Sequence, residues 1–154
     1  MKKVSVVIPM YYEQEVAEVC YKRVKKVLDE LKEKYEHEII FINDGSKDKT
    51  LDILQDIAKV DKNVKIISFS RNFGHQAAVT AGLKYVTGDA IIIIDADLQD
   101  PPELILDMIE KWEQGYEVIY GKRKKRNGES AFKLLTAKAF YTTLNKLSDV
   151  DIPG

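Results

Sequence analysis

Two hydrophobic periods alternate along this chain. Short runs rich in β-branched residues recur at Val4–Pro9, Glu38–Asp44, Val64–Ser70 and Ala90–Ile94. Runs of that length, apolar at nearly every position, predict strands buried on both faces. Pro9 is expected to close the first, since it has no N–H for a ladder. Between the runs the period becomes helical. From about Glu13 to Tyr35 it sets Val16, Val19, Cys20, Val24, Val27, Leu28 and Leu31 on one side. His37 falls in the polar connection that follows and reads as an ordinary surface residue. A second helix, capped by Asp48, uses Leu51, Ile53, Leu54, Ile57 and Ala58. Ala77 to Val86 forms a small-residue helix ending at Gly88.

After the isoleucine run, Asp100-Pro101-Pro102-Glu103 reads as an N-cap, a proline at the first helical position and a capping-box glutamate. The helix it opens runs to about Gln114 and stops at Gly115. Val118–Gly121 is a further short strand, and a last helix is expected over roughly Ser130 to Leu147, with Ala137, Phe140, Leu144 and Leu147 at helical spacing. Strands alternating with helices predict an α/β fold: a Rossmann-like, mostly parallel sheet with helices on both faces. No repeat, linker or low-complexity segment divides the chain, so residues 1–154 are expected to form one domain.

Composition narrows the classes. A net charge of −1 gives no global field for nucleic acid. The single cysteine, Cys20, excludes an internal disulfide, fits a reducing compartment and reads as a small core residue. Met1-Lys2-Lys3 leads directly into a strand, leaving no room for a signal peptide, and no apolar run approaches the ~20 residues of a membrane span.

Candidate chemistry gathers at the strand ends. Asp95 and Asp97 follow four isoleucines, and in an extended chain residues i and i+2 point the same way. Two converging carboxylates suit a hard divalent cation, Mg²⁺ or Mn²⁺, whose remaining positions suit phosphate oxygens. In open α/β sheets ligands bind outside the carboxyl ends of the strands. Pro9 to Glu13, Asp44-Gly45-Ser46, Arg71-Asn72 and Asp95 to Gln99 all fall there. No Gly-x-Gly-x-x-Gly follows the first strand, which excludes a dinucleotide site of that kind, and Gly45 to Thr50 lacks the spacing of a P-loop. There is no Cys/His cluster for zinc, and His75, with no nucleophile nearby, receives no catalytic part.

Four motifs occur in order: Val6-Val7-Ile8-Pro9-x-Tyr11-x-Glu13, Asn43-Asp44-Gly45-Ser46-x-Asp48-x-Thr50, Ser70-Arg71-Asn72-Phe73-Gly74, and Asp95-Ala96-Asp97-Leu98-Gln99-Asp100-Pro101-Pro102-Glu103. Together they resemble the family-2 glycosyltransferases of the GT-A fold. The similarity is greatest to the polyprenyl-phosphate branch, the dolichol-phosphate mannose synthases and undecaprenyl-phosphate glycosyltransferases. The resemblance implies metal-dependent, inverting transfer from a UDP- or GDP-sugar to a polyprenyl phosphate at the cytoplasmic face of a membrane.

The resemblance also implies roles. Pro9, Tyr11 and Glu13 would frame the base and ribose. Asp44 would accept from the base, with Gly45 and Ser46 shaping that loop; a plain turn fits the same pair. Arg71 and Ala96 would each approach the nucleotide, the alternative for Arg71 being a surface arginine. Asp95 and Asp97 would hold the metal, with Gln99 near the reacting sugar or acceptor phosphate. Lys122 to Arg126 has three readings: a solvated loop, a phosphate clamp through Arg123 and Lys122, or a contact with an anionic membrane surface.

In the family, a Pro-Gly like Pro153-Gly154 is followed by an acidic segment with the proposed general base, and then by membrane helices. The chain is therefore expected to be a truncated catalytic domain that carries the donor and metal sites. Rival readings are a sugar nucleotidyltransferase, disfavoured because Pro9 to Glu13 has no Gly-rich basic loop, and a non-catalytic nucleotide-binding module. Neither the sugar, the base nor the oligomeric state is written in these motifs.

Overall fold

The computed structural model describes residues 1–97, 101–115, 118–121 and 132–136. Its sheet orders as β3-β2-β1-β4-β6-β5, with β1 Lys2–Met10, β2 Tyr35–Asn43, β3 Val64–Ser68, β4 Ala90–Ile93, β5 Val118–Gly121 and β6 Phe132–Thr136. The first four strands pair in parallel, β1 lying between β2 and β4. β6 runs antiparallel to both β4 and β5. The helices are α1 Ala17–Glu30, α2 Thr50–Val60, α3 His75–Tyr85 and α4 Leu104–Glu113.

Alternation along the strands builds two cores. Val4, Val6, Ile8, Ile39, Phe41 and Ile92 face one side, against apolar residues of α1, α2 and α4. Val7, Ile40, Ile42 and Ile91 face the other, against Ala78 and Leu83 of α3. Strands buried on both faces have no polar side, which is why these runs read as continuous rather than alternating. The small residues of α3 have a packing reason. A Cβ on Gly82 would lie 2.6 Å from Val7 Cγ1 and 2.8 Å from Ile42 Cδ1, so the helix sits directly on the sheet.

Several sequence expectations are corrected. β1 continues through Pro9 to Met10. The Val7 carbonyl accepts from Ile94 N–H on the β4 side, while the Met10 carbonyl accepts from Asp44 N–H on the β2 side. Pro9 shares the orientation of Val7, and its missing N–H faces a region where the β1–β4 pairing, which ends at Val7↔Ile93, has already stopped. α1 is shorter than its hydrophobic period: Tyr35 already belongs to β2, paired with Lys2. His37 lies within β2 and is half-buried, its Nε2 buried without a hydrogen-bond partner among the described residues. Burial and the nearby Lys25 lower its pKa.

α4 begins at Leu104 rather than Pro101, and the Pro101, Pro102 and Glu103 carbonyls accept the N–H groups of Leu104, Ile105 and Leu106 in its tight first turn. The Glu103 carboxylate pairs with Arg23 at 2.8 Å, and Asp100, the other half of the expected capping box, lies outside the described residues. The N-cap of α2 is Lys49 rather than Asp48, though Asp48, one residue earlier, accepts the Thr50 N–H at 3.0 Å. The expected last helix is overturned at its beginning, because Phe132–Thr136 is a strand on the edge of β4. The rest of that segment lies outside the described residues. Cys20 is buried as expected, and burial pushes its thiol up to about 12.

Candidate active site

Strand order reverses beside β1: the chain places β2 and β3 on one side of it and β4 on the other. A cleft of about 420 Å³ opens at the carboxyl ends of these strands. Pro9, Met10, Tyr11 and Glu13 line it from β1 and the loop beyond, Asp44 from the end of β2, Asn72, Gly74 and His75 from the start of α3, and Asp95, Ala96 and Asp97 from the end of β4.

The loop after β2 is tied to both neighbours. Asn43 Oδ1 accepts the Ser46 N–H at 3.1 Å, and Asn43 Nδ2 donates to Ser68 Oγ at 3.1 Å. Gly45 has φ +77° and lies so close to the next loop that a Cβ would stand 2.2 Å from the Arg71 carbonyl carbon. The buried Asp44 carboxylate then collects that loop. Its Oδ1 accepts the Phe73 N–H at 2.8 Å, and its Oδ2 accepts the Gly74 N–H at 3.1 Å and the Asn72 Nδ2 at 3.0 Å. A carboxylate has about four acceptor positions, so one on Oδ1 remains for a ligand.

Carboxylates dominate the other wall. The Glu13 pKa is raised by burial first, then by Asp97 and Asp95, with Asp48 behind them. Asp95 Oδ1 lies 3.2 Å from His75 Nε2, and this hydrogen bond is the main cause that raises the His75 pKa. Among the described residues no group of three or more His, Cys, Asp or Glu forms a ready-made metal cage. The donor set is nonetheless right for Mg²⁺ or Mn²⁺ held by one or two carboxylates, with water and phosphate completing the shell. The like charges that raise Glu13 show a negative potential that such a cation would relieve. Asp95 and Asp97 fit that role.

Seven of the residues singled out in the sequence line this one cleft: Pro9, Tyr11, Glu13, Asp44, Asp95, Ala96 and Asp97. Gly45 and Ser46 support it from behind, Ser46 Oγ accepting the Tyr12 N–H at 2.8 Å. Arg71 is not among the lining residues; its guanidinium stacks on the Phe73 ring, 4.4 Å from the centroid. Gln99, Lys122 and Arg123 lie outside the described residues. His75 was given no part by the sequence and Asn72 only a place among the strand-end clusters, yet both line the cleft. Their signal was placement: a loop after β3 had to open onto the same sheet edge as the other three.

Known proteins are similar to this chain in sequence and in fold. The family model described as glycosyl transferase family 2 matches residues 5–152. The chain is 56% identical over 149 residues to an uncharacterised glycosyltransferase, YkcC, of Bacillus subtilis, covering 97% of this chain and 46% of that protein. It is 47% identical over 150 residues to an Escherichia coli protein named prophage bactoprenol glucosyl transferase homolog, covering 97% of this chain and 48% of that one. It thus spans just under half the length of these relatives. A mannosyltransferase from Pyrobaculum calidifontis, solved in complex with GDP-Man and Mn²⁺, shares the fold with a TM-score of 0.75 at 18% identity, over 92% of this chain and 46% of that one. The architecture is the GT-A fold. With a family match over nearly its whole length, the resemblance first carried by four short motifs becomes membership: the chain belongs to glycosyl transferase family 2.

Proposed function

We propose that residues 1–154 are the donor-binding part of a glycosyltransferase that moves a sugar, with inversion, from a UDP- or GDP-sugar to a polyprenyl phosphate. The reading rests on one observation above the others: the Asp95-Ala96-Asp97 turn, Tyr11, Glu13 and Asp44 line a single cleft at the switch in strand order. Tyr11 and Pro9 offer apolar surface to a base, and Asp44 offers its remaining acceptor position to a base N–H. Asp95 and Asp97 would hold Mg²⁺ or Mn²⁺ against the diphosphate, supplying positive charge where the leaving group gains negative charge. His75, on the same cleft, hydrogen-bonds Asp95 at 3.2 Å and would hold its carboxylate in place. Gln99 is assigned to the sugar or acceptor phosphate, and Arg123 with Lys122 to a phosphate.

The bactoprenol glucosyl transferase names of the relatives support the lipid-phosphate acceptor. A lipid acceptor places the reaction at a membrane, and nucleotide sugars place it at the cytoplasmic face. Among the described residues no helix is long and apolar enough to cross a bilayer.

Calorimetric titration with UDP and with GDP, each with and without Mn²⁺, tests the proposal. Binding of one nucleotide is expected to require the metal and to weaken roughly tenfold or more in Asp97→Ala, the scale of losing part of a metal site. A folded chain that binds neither nucleotide would overturn it.

A further inference from the structure

Tyr12 has φ +54°, and among the described residues it is the one non-glycine with a positive φ. A bulky L-residue is strained in this left-handed region because its Cβ crowds the following carbonyl. Such strain persists only where the surroundings over-determine it, and it concentrates at ligand sites. Here the surroundings are visible. The Met10 carbonyl accepts the Asp44 N–H at 2.9 Å, the Tyr12 N–H donates to Ser46 Oγ at 2.8 Å, and the Glu13 N–H donates to the buried Thr50 Oγ1 at 3.0 Å. Residues 10, 12 and 13 are each tied to the segment after β2, and the left-handed turn lets the chain meet all three.

The turn puts Tyr11 and Glu13, its two neighbours, on the cleft wall while Tyr12 stays off it. The Tyr12 ring stands edge-on to that of Tyr11, with centroids 4.7 Å apart and planes at 80°. That T-shaped arrangement is an attractive one. Tyr11 is 48% exposed at the cleft rim, so its orientation is not fixed by burial in a core. Asn or Gly would take the left-handed conformation more readily than Tyr, so the backbone alone does not call for an aromatic here.

We propose that Tyr12 is a positioning residue: its strained backbone and its ring hold Tyr11 in place for the nucleotide base, at a cost in stability. The inference rests on the reading of the cleft as a nucleotide site. Tyr12→Asn and Tyr12→Phe test it, each titrated calorimetrically with UDP and GDP in Mn²⁺ and unfolded in urea. Tyr12→Asn is expected to raise the unfolding midpoint while weakening nucleotide binding by roughly five- to tenfold, the scale of one lost aromatic pair. Tyr12→Phe is expected to keep both values.

A Tyr12→Asn variant that binds as tightly as the parent would overturn the proposal. So would one whose midpoint falls along with its affinity, since that is the behaviour of a merely structural tyrosine, and so would a Tyr12→Phe variant that loses affinity. If the parent chain binds neither nucleotide, the reading of the cleft fails in that first titration and the inference falls with it. A normal parent with a tight Tyr12→Asn variant overturns the inference alone.

Discussion

The two ends of the sheet treat carboxylates in opposite ways. At the amino ends of the strands, Glu38 is 1% exposed and fully engaged. Its Oε1 takes Lys65 Nζ at 2.7 Å, with Lys3 Nζ at 3.6 Å; its Oε2 takes Ser5 Oγ at 2.6 Å and the Thr87 N–H at 2.7 Å. Burial alone would raise its pKa, but these partners outweigh burial and pull it down to about 2. At the carboxyl ends the Glu13 pKa moves the other way, raised by burial and by Asp97 and Asp95. One end has collected donors and cations around a single acid. The other has collected acids around a cleft. The first arrangement stabilises the fold, and the second leaves an electrostatic demand for a ligand to meet.

The largest expected effect is at the satisfied end. A fall from 4.5 to about 2 corresponds to about 3 kcal/mol of stability. Because the folded pKa is depressed, that contribution is complete above 4.5 and is lost as pH falls through about 2. Glu38→Ala should therefore lower the urea-unfolding free energy by about 3 kcal/mol near neutral pH. The gap from the parent should narrow steadily as the pH is taken below 4.5. A gap that persists unchanged at low pH would show that packing, rather than charge, makes Glu38 valuable.

Two glycines sharpen the contrast next. A Cβ on Gly88 would stand 2.4 Å from Ser5 Oγ and 2.8 Å from Ser5 N, and one on Gly45 would stand 2.3 Å from Asn72 N. Both substitutions to Ala force backbone apart, and each should cost about 1–3 kcal/mol. Their functional consequences should differ. Gly45→Ala displaces the loop that Asp44 gathers and should weaken nucleotide binding, whereas Gly88→Ala should leave the affinity of the folded fraction unchanged. Equal affinity losses in the two variants would mean that the ends are coupled through the sheet.

The same contrast explains what the sequence revealed and what it hid. The isoleucine run at Ile91–Ile94 and the two acids after it were legible because their signals are local: a buried strand must end, and the acids that follow it fall at the sheet edge where the cleft opens. The parallel order followed from strands with no polar side. Glu38 was hidden because its partners Ser5, Lys65 and Thr87 lie 33, 27 and 49 residues away. His37 went wrong for a related reason, since a polar residue between apolar runs looks like a loop until β1 pairs with it. Phe132–Thr136 carries an apolar run compatible with either period, and β4 decides the matter by offering an edge. His75 became a site residue only when the fold brought the α3 start to the cleft. The shape of the Asp44 loop was equally hidden: nothing in Asn43-Asp44-Gly45-Ser46 announces that the carboxylate will grip residues 72–74.

The smallest effect is also the most direct comparison with Glu38. Glu13 has a raised pKa, so its ionised form opposes folding: the favourable contribution is present below 4.5 and is lost as pH rises through the higher folded value. Near neutral pH the substitution Glu13→Gln removes that opposition. After solvent screening the gain should be a few tenths of a kcal/mol, measurable as a small rise in the urea midpoint. Removing a carboxylate thus destabilises one end of the sheet and stabilises the other. Mn²⁺ provides the control. A cation held by Asp95 and Asp97 offsets the same repulsion, so the advantage of Glu13→Gln should shrink as Mn²⁺ is added. An advantage that is indifferent to Mn²⁺ would trace the raised pKa to burial, the larger of its causes, and would take the acids of β4 out of the account.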